Sequence, residues 1–550
     1  YSKTAAVLFM LQYVLGDDVF EAAMREYFER WKFKHPYPED FYNVMEEVSG
    51  KRNLRWFFDQ WFHKALKCDY GIKKMTYDKI NRDENTVYRT TICVKRYEPA
   101  IMPVDVKITM ENGDSKVIWF PIELWSNAEI ENDTTIELPS KPVKAELNPD
   151  GRILDINRLN NIKPWPKLKV ELDNTLFSVT PVDAYLIKLR PSLWYTDRGG
   201  WNFGYKIGGS YLEDIFETGI WQAYNTGDKT FDHDIKFSHN TFKITPGNID
   251  LRWYRIEGRK SVSLSLRKNF YRSFSTPPSH QINLTYEYSK VIDKEYLLRP
   301  EVWDEGNLHR FIAGYNYSNR WRFWSINASL GVEASSSLFG KSAYQYSKRT
   351  FLIKSQVTMP GGWFLNARFY SGFGYGDIPS QVKYYFTGSS PLQQMNDPLL
   401  RSKGIVPSLL RDHVMAPGGG MMRGFFKYPA SGDKIESINF EAKFASLIPF
   451  FNIPVLPSVV RHVQSSVFLD AGRISNQIDR LWDKRYEIDF GFGLRIRSIA
   501  SILGEVGQSN LFSSIGLSTL KVDFPIYCSA PFSGENKFKF RWVLSFREEF

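Results

Sequence analysis

The feature that most constrains this fold is an alternation of apolar and polar residues that recurs through residues 163–550. From Tyr486 to Arg497, each even-numbered residue is large and apolar, and each odd-numbered residue is charged or glycine. From Ser261 to Leu266, apolar residues alternate with serines in the same way. A period of two is that of a β-strand whose two faces meet different surroundings. The segments are about ten residues long and separated by turn residues, which is the pattern of strands that cross a membrane in a barrel.

A soluble sandwich also produces alternating strands, but two features favour a barrel. The polar face is rich in Lys, Arg and Gly, which suits a wide, watery interior, and the apolar faces end in aromatic residues, as in interfacial girdles. Aromatic residues make up 16% of the chain, and we find no run of about 18 apolar residues that would form a transmembrane helix. We therefore predict a transmembrane antiparallel β-barrel of about 16 strands over residues 163–550, with Phe550 as its C-terminal barrel signal.

Two smaller regions precede the predicted barrel, in a chain that is mainly β overall. Residues 1–68 show four apolar stripes at helical spacing, with Asp17 and Asp40 as candidate N-caps. Residues 69–162 change to period two, with a hairpin turn at Glu111–Asp114, and predict an immunoglobulin-like β-sandwich of about seven strands. The chain opens inside a helical pattern without an initiator Met, so we expect an N-terminal part to lie upstream.

Charge and cysteine content exclude few functions. The net charge of +10 is spread along the alternating strands rather than clustered, so we do not expect a nucleic-acid partner. The cysteines Cys68, Cys93 and Cys528 lie far apart without the spacing of metal ligands, and a single disulfide remains open. The eight histidines contain no His-Glu-x-x-His motif, so we expect this chain to bind no metal.

The longest gap between predicted barrel strands, residues 388–434, contains an unusual glycine-rich stretch. Gly418, Gly419 and Gly420 allow a tight bend, and Arg423 then follows two methionines and precedes Gly424 and two phenylalanines. An arginine in apolar surroundings needs a fixed acidic partner. We therefore expect this loop to enter the barrel, whereas an ordinary surface loop is the alternative.

The first 65 residues resemble the zinc aminopeptidases of the gluzincin group, to which aminopeptidase N belongs. The matching stretches are Tyr1-Ser2-Lys3, Val7-Leu8-x-Met10-Leu11, Gly16-Asp17, Phe20, Trp31 to Pro36, Glu39-Asp40-Phe41, Ser49-Gly50 and Trp56 to Phe62. The resemblance implies that Tyr1 is the catalytic tyrosine, which donates a hydrogen bond to the oxyanion of the tetrahedral intermediate. At Ser2 and Thr4 the chain departs from the family pattern. The resemblance also implies zinc in the full-length parent, bound by upstream residues, and a peptide substrate.

The last 170 residues resemble the BamA-like barrels of the bacterial surface antigen superfamily. The similar elements, in order, are Met422-Arg423-Gly424-Phe425, Ile438 to Phe444, Val467 to Gly472, Gly491 to Leu494 and Leu520 to Pro525. The resemblance implies that Arg423, with Gly424 and Phe425, locks the loop inside the barrel. It also implies that Asp470, beside Gly472, and Glu441 are the partners of Arg423. The periplasmic transport-associated repeats of that family do not precede this barrel, since the peptidase-like region stands in their place.

These observations leave several functions open. The favoured hypothesis is a zinc aminopeptidase-like protein anchored in the outer membrane of a Gram-negative bacterium, in which the barrel serves as anchor or self-exporter. The alternative is an outer-membrane assembly or translocation barrel whose peptidase-like region only binds, and a purely structural porin-like protein is the third. We expect membrane lipid and the outer-membrane assembly machinery as partners. The ectodomain would be periplasmic or at the cell surface.

Overall fold

A computed structural model describes most of the chain. It covers residues 2–50, 53–82, 85–125, 129–173, 179–212, 215–241, 247–273, 276–297, 299–338, 340–402, 413–426, 430–445, 463–476, 481–497 and 519–546. Contacts between residues divide the chain into two compact units. The first unit comprises Tyr1–Lys169 and Thr180–Leu186, and the second comprises Val170–Val179 and Ile187–Phe550.

The first unit opens with four helices. These are α1 (Ser2–Leu15), α2 (Asp17–Trp31), α3 (Pro38–Val48) and α4 (Arg55–Phe58), and a π-helical turn over Asp59–His63 continues α4. Leu11, Met45 and Phe58 are fully buried, because the apolar stripe of each helix faces one shared core.

The two predicted N-caps are wrong by one and three positions. Helix α2 begins at Asp17, after Gly16 as its N-cap, and Asp40 lies inside the first turn of α3, whose N-cap is Tyr37. The Asp40 carboxylate accepts a hydrogen bond from the Tyr37 backbone N–H at 2.8 Å. Both acids therefore still meet the positive end of a helix dipole, but they do so from within the helix.

Two antiparallel sheets complete the first unit. One joins β1 (Tyr70–Arg82), β2 (Asn85–Arg96) and β5 (Glu131–Leu138), and the other joins β3 (Val104–Met110), β4 (Ser115–Phe120), β6 (Pro142–Leu147) and β7 (Ile162–Lys163). The strand order of the second sheet is β4-β3-β6-β7. Buried residues of both sheets, such as Ile92 and Val106, belong to the same core as the helices. The seven strands agree with the predicted sandwich.

The second unit is dominated by one sheet of 17 strands with barrel topology, against about 16 predicted. Its strands are β8 (Leu168–Leu172), β9 (Tyr185–Thr196), β10 (Gly200–Tyr211), β11 (Ile215–Asn225), β12 (Thr230–Thr241), β13 (Gly247–Ile256), β14 (Arg259–Ser273), β15 (Thr276–Val291), β16 (Asn307–Arg320), β17 (Trp324–Ser335), β18 (Tyr346–Met359), β19 (Trp363–Gly376), β22 (Lys434–Ala445), β23 (Val463–Ser475), β24 (Glu487–Arg497), β25 (Thr519–Cys528) and β26 (Val543–Ser545). From β10 to β26, each barrel strand pairs antiparallel with the next.

The alternation in sequence becomes the two faces of this sheet. Val262, Leu264 and Leu266 on β14 are each more than 40% exposed, whereas Ser261 on the opposite face is buried. The apolar residues therefore point outward and the polar residues inward, as a barrel in lipid requires. Within the described residues, β26 pairs with β25 over Val543–Ser545.

A long segment between β19 and β22 folds against the interior of the sheet, and we call its described residues (377–402, 413–426 and 430–433) the plug. It contains two short helices, α5 (Pro391–Met395) and α6 (Pro398–Arg401). It also contains a paired ladder of β20 (Tyr384–Tyr385) and β21 (Ser431–Gly432), and a 3₁₀ turn at Arg423–Phe425.

The three cysteines are free and buried, so the disulfide left open by the sequence is not formed.

None of the helices in the described ranges combines the length and apolar character needed to span a lipid bilayer.

Candidate functional site: an arginine held inside the barrel

Arg423 lies at the start of the 3₁₀ turn of the plug and is fully buried. Its Nε donates to Asp470 Oδ2 and its Nη2 donates to Asp470 Oδ1, both at 2.8 Å. Its Nη1 donates to Glu441 Oε2 at 2.6 Å. The guanidinium also lies 3.7 Å from the centre of the Phe468 ring. Two parallel bonds to one carboxylate fix both the position and the orientation of the arginine.

The acidic partners come from adjacent strands, because register places them side by side. Asp470 on β23 pairs with Asn439 on β22, two residues before Glu441, and the side-chain period of two turns all three inward. Asn439 Nδ2 donates to Asp470 Oδ1 at 3.1 Å and to the backbone carbonyl of Met421 at 3.2 Å. The amide therefore holds the carboxylate and the plug backbone at the same time.

Further charges surround Glu441. Lys521 Nζ donates to Glu441 Oε2 at 2.6 Å, and Arg495 Nη2 donates to Glu441 Oε1 at 3.1 Å. Asp523, which is also buried, lies 3.2 Å from Lys521 and 3.7 Å from Arg423. The carboxylates of β22, β23 and β25 thus share cations from the plug and from the barrel wall. Charges in such a dry site persist only when they are paired and hydrogen-bonded.

Glycine is required where the plug approaches the wall. A Cβ on Gly424 would lie 2.6 Å from Asp489 Cβ, and a Cβ on Gly472 would lie 2.9 Å from Met422 Sδ. Gly419 adopts a φ of +56°, and its carbonyl accepts a hydrogen bond from Arg368 Nη2 at 2.6 Å. The missing side chains therefore allow the two backbones to approach closely.

Phe425 supplies the apolar part of this attachment. It is 4% exposed, and its ring lies 5.3 Å from that of Phe386 in an edge-to-face arrangement. Both residues belong to a buried cluster with Met422 and Ile435. Arg423 and Phe425, which are separated by Gly424, thus hold the turn in place. Arg423 does so through ion pairs and Phe425 through packing.

A second attachment joins the plug to the last barrel strand. The segment His413–Met415, which we call the strap, runs parallel to β26. Met415 N donates to Leu544 O at 2.9 Å, and Leu544 N donates to His413 O at 2.8 Å. The His413 ring stacks on Trp542 with 3.9 Å between ring centres. The strap therefore satisfies backbone groups of β26 on the side away from β25.

Sequence reasoning named Arg423, Gly424, Phe425, Glu441, Asp470 and Gly472, and the structure brings all six together. The sequence did not predict five further residues of this cluster, namely Asn439, Phe468, Lys521, Asp523 and Arg495. Their inward phase could be read from the alternation in each strand, but their proximity to Arg423 depends on strand register, which that alternation does not specify. Tyr1 and Phe550 lie outside the described residues.

The described residues of the first unit show no assembled catalytic centre. His35 is exposed, and His63 Nε2 lies 3.3 Å from the hydroxyl of Tyr42. Nowhere in the described ranges do three or more His, Cys, Asp or Glu side chains come together as a metal site would require. The charged groups around Arg423 lie away from solvent.

Comparison with known proteins gives a family match for the first helices. Residues 1–61 match the peptidase family M1 domain. No curated protein matches the chain.

Three solved structures are similar to the chain. BamA from Haemophilus ducreyi lacking POTRA domains 1–3 is 12% identical with a TM-score of 0.37, and the alignment covers 93% of each chain. CdiB from Acinetobacter baumannii is 13% identical with a TM-score of 0.32, over 67% of this chain and 63% of that one. Aminopeptidase A from Legionella pneumophila, in complex with aspartic acid, is 18% identical with a TM-score of 0.21, over 28% of this chain and 17% of that one.

The chain therefore joins a segment that matches the peptidase family M1 domain to a 17-strand sheet with barrel topology.

Proposed function

We propose that this chain belongs to an aminopeptidase-like protein that its own barrel holds in a bacterial outer membrane. The observation that carries the proposal is the family M1 match over residues 1–61, in the same chain as a 17-strand sheet with outward apolar residues. The barrel would contact membrane lipid and would be inserted by the outer-membrane assembly machinery. The peptidase-like part would lie in the periplasm or at the cell surface.

Peptide hydrolysis of this type uses zinc. The described residues do not fit a zinc site, because His35 and His63 have no acidic or histidine partners arranged as ligands. The proposal therefore requires zinc ligands from outside the described residues. Within this chain, the residue proposed to act on substrate is Tyr1, whose hydroxyl would stabilise the oxyanion.

The test is hydrolysis of an aminoacyl chromogenic substrate by the complete gene product in detergent. With Tyr1→Phe, we expect kcat to fall by about 10²–10³ while KM changes little, since an oxyanion donor acts in the transition state. Arg267→Gln, a change in the barrel wall, should leave kcat unchanged. If the Tyr1→Phe protein turns over at the wild-type rate, Tyr1 has no catalytic role, and if the wild-type protein cleaves no peptide, the enzymatic proposal is wrong.

A second candidate function is assembly or translocation of polypeptides by the barrel, with the first unit as a binding domain. One observation favours it: the edge of β26 at Leu544 is covered by the strap of the plug. A strand edge covered in this way can be uncovered to receive another extended chain. Reconstitution in liposomes decides this point. If the barrel does not accelerate insertion of an outer-membrane client over empty liposomes, this function is excluded.

A further inference from the structure

Within the residues that the structure describes, Arg259 is a buried arginine without an acidic partner. It is the first residue of β14, faces the barrel interior and is 3% exposed. Its Nη2 donates to Asn396 Oδ1 on the plug at 2.8 Å, and its guanidinium lies 5.0 Å from the centre of the Tyr254 ring. Its Nε and Nη1 meet no hydrogen-bond acceptor in the described part of the chain.

Several other buried arginines of the same barrel are paired with carboxylates. Each of five has a carboxylate oxygen within 3.1 Å, and these are Arg310, Arg423, Arg473, Arg495 and Arg541. Among the residues that the structure describes, no Asp or Glu comes within ion-pair distance of Arg259. Since arginine keeps its proton even when buried, the described residues leave its charge without an ion-pair partner.

A second guanidinium lies beside this one. Arg401 ends helix α6 of the plug, and its Nη1 donates to Glu257 Oε1 at 3.0 Å. Its Nε also meets no acceptor in the described ranges. Because Glu257 stands two residues before Arg259, its bond to Arg401 brings Arg401 to the same end of β14. The nearby Arg252 is already bound by Asp234 at 2.9 Å. Arg259, Arg401 and Glu257 together carry a formal charge of one positive unit.

Two other acids near this pair, Asp232 and Glu287, are engaged elsewhere. Both oxygens of Asp232 accept the backbone N–H of Glu257 at 3.0 Å, and Glu287 accepts Arg310 at 3.0 Å. What remains between the wall and the plug is a set of three N–H-bearing nitrogens on two guanidiniums. An oxyanion with several acceptor oxygens complements such a set, and arginine recognises phosphate through directed N–H bonds.

We propose that Arg259 and Arg401 bind a phosphate group between the barrel wall and the plug. The phosphate would come either from free phosphate or from a lipid headgroup, since both present the same oxygens. Because Arg259 belongs to the wall and Arg401 to the plug, the bound anion would tie helices α5 and α6 to the hairpin between β13 and β14. This site is independent of the lock around Arg423 and of any peptidase activity.

The first experiment compares heat stability in phosphate and in chloride at equal ionic strength, with the full chain in a detergent free of phosphorus. Wild-type protein should melt at a higher temperature in phosphate, and Arg259→Gln should bind phosphate at least tenfold more weakly. Arg267→Gln is the matched control, because Arg267 lies on the same strand, is exposed and sits 3.9 Å from Asp250. Without phosphate, Arg259→Gln should be at least as stable as wild type, since it removes an uncompensated buried charge.

The second experiment identifies the source by measuring the phosphorus that remains on the purified protein. About one phosphorus per wild-type chain, absent from Arg259→Gln, indicates a lipid headgroup, and a phosphate-dependent shift without retained phosphorus indicates the free anion. If Arg259→Gln fails to fold, Arg401→Gln is measured in the same way. The proposal is overturned if wild-type protein shows neither a phosphate-specific shift nor phosphorus that depends on these arginines.

Discussion

At the scale of single residues, the fully buried Arg423 is stabilised by ion pairs with two carboxylates. Replacing it with alanine leaves Asp470 charged and buried without this cation, whereas Glu441 keeps Lys521 and Arg495. Breaking a buried pair from one side costs about 3–5 kcal/mol, because the remaining charge is no longer compensated. We expect Arg423→Ala to lower the stability of the barrel by that amount, measured as the urea concentration at which the plug becomes accessible to protease. Arg423→Lys should lose less, since it keeps the charge but not the paired N–H bonds.

The control for this prediction is a double change. The double variant Arg423→Met with Asp470→Asn removes the buried charge on each side of the ion pair. Its loss of stability should therefore be smaller than the sum of the losses of the two single variants. If the losses simply add, or if Arg423→Ala unfolds at the wild-type urea concentration, the ion pairs do not hold the plug.

At the scale of elements, the sequence predicts the strands and the direction of their faces. It predicts only some of the contacts between the plug and the barrel wall. Alternation indicated which residues of β14 or β24 face outward, because the side-chain period of a strand is fixed by its geometry. The partners Asp470 and Glu441 came from a resemblance between motifs. Lys521 and Asp523 were not predicted, since every barrel strand carries inward charges and only register decides which of them meet. The sequence does not predict the strap, because its hydrogen bonds to Leu544 involve backbone atoms only.

The strap gives the prediction at this scale. Val414 and Leu544 form a parallel bridge, so their Cβ atoms lie on the same side at the spacing of neighbouring strands. Cysteines at both positions should form a disulfide on mild oxidation, visible as a change in gel mobility that reduction reverses. Cysteines at Val414 and Val467 serve as the control pair and should remain reduced. Failure of the first pair to cross-link would show that the strap does not lie along β26.

At the scale of the whole chain, carboxylates are held in two ways. In the barrel unit, Glu441 is neutralised by arginine and lysine. In the first unit, Asp69 and Asp155 are held by hydrogen-bond donors that carry no charge. Asn160 Nδ2 donates to Asp69 Oδ1 at 2.8 Å, and the backbone N–H groups of Tyr70 and Asn157 donate to Asp155 at 3.2 and 2.9 Å. The stability of the first unit should therefore respond to pH through these acids.

Burial raises the pKa of Asp69 to about 7, helped by the charges of Asp155 and Glu98, and burial raises the pKa of Asp155 to about 6. In the unfolded chain, both pKa values return to about 4. Between about pH 4 and pH 7, the folded state therefore binds more protons than the unfolded state, so the free energy of unfolding falls as pH rises. We expect the urea midpoint of the first unit, followed by proteolysis and mass spectrometry of its peptides, to be lower at about pH 8 than at about pH 5. Asp69→Asn should flatten this dependence, whereas Asp78→Asn, at an exposed position of β1, should leave it unchanged. An Asp69→Asn protein whose midpoint still falls as steeply as that of wild type would show that Asp69 does not titrate in this range.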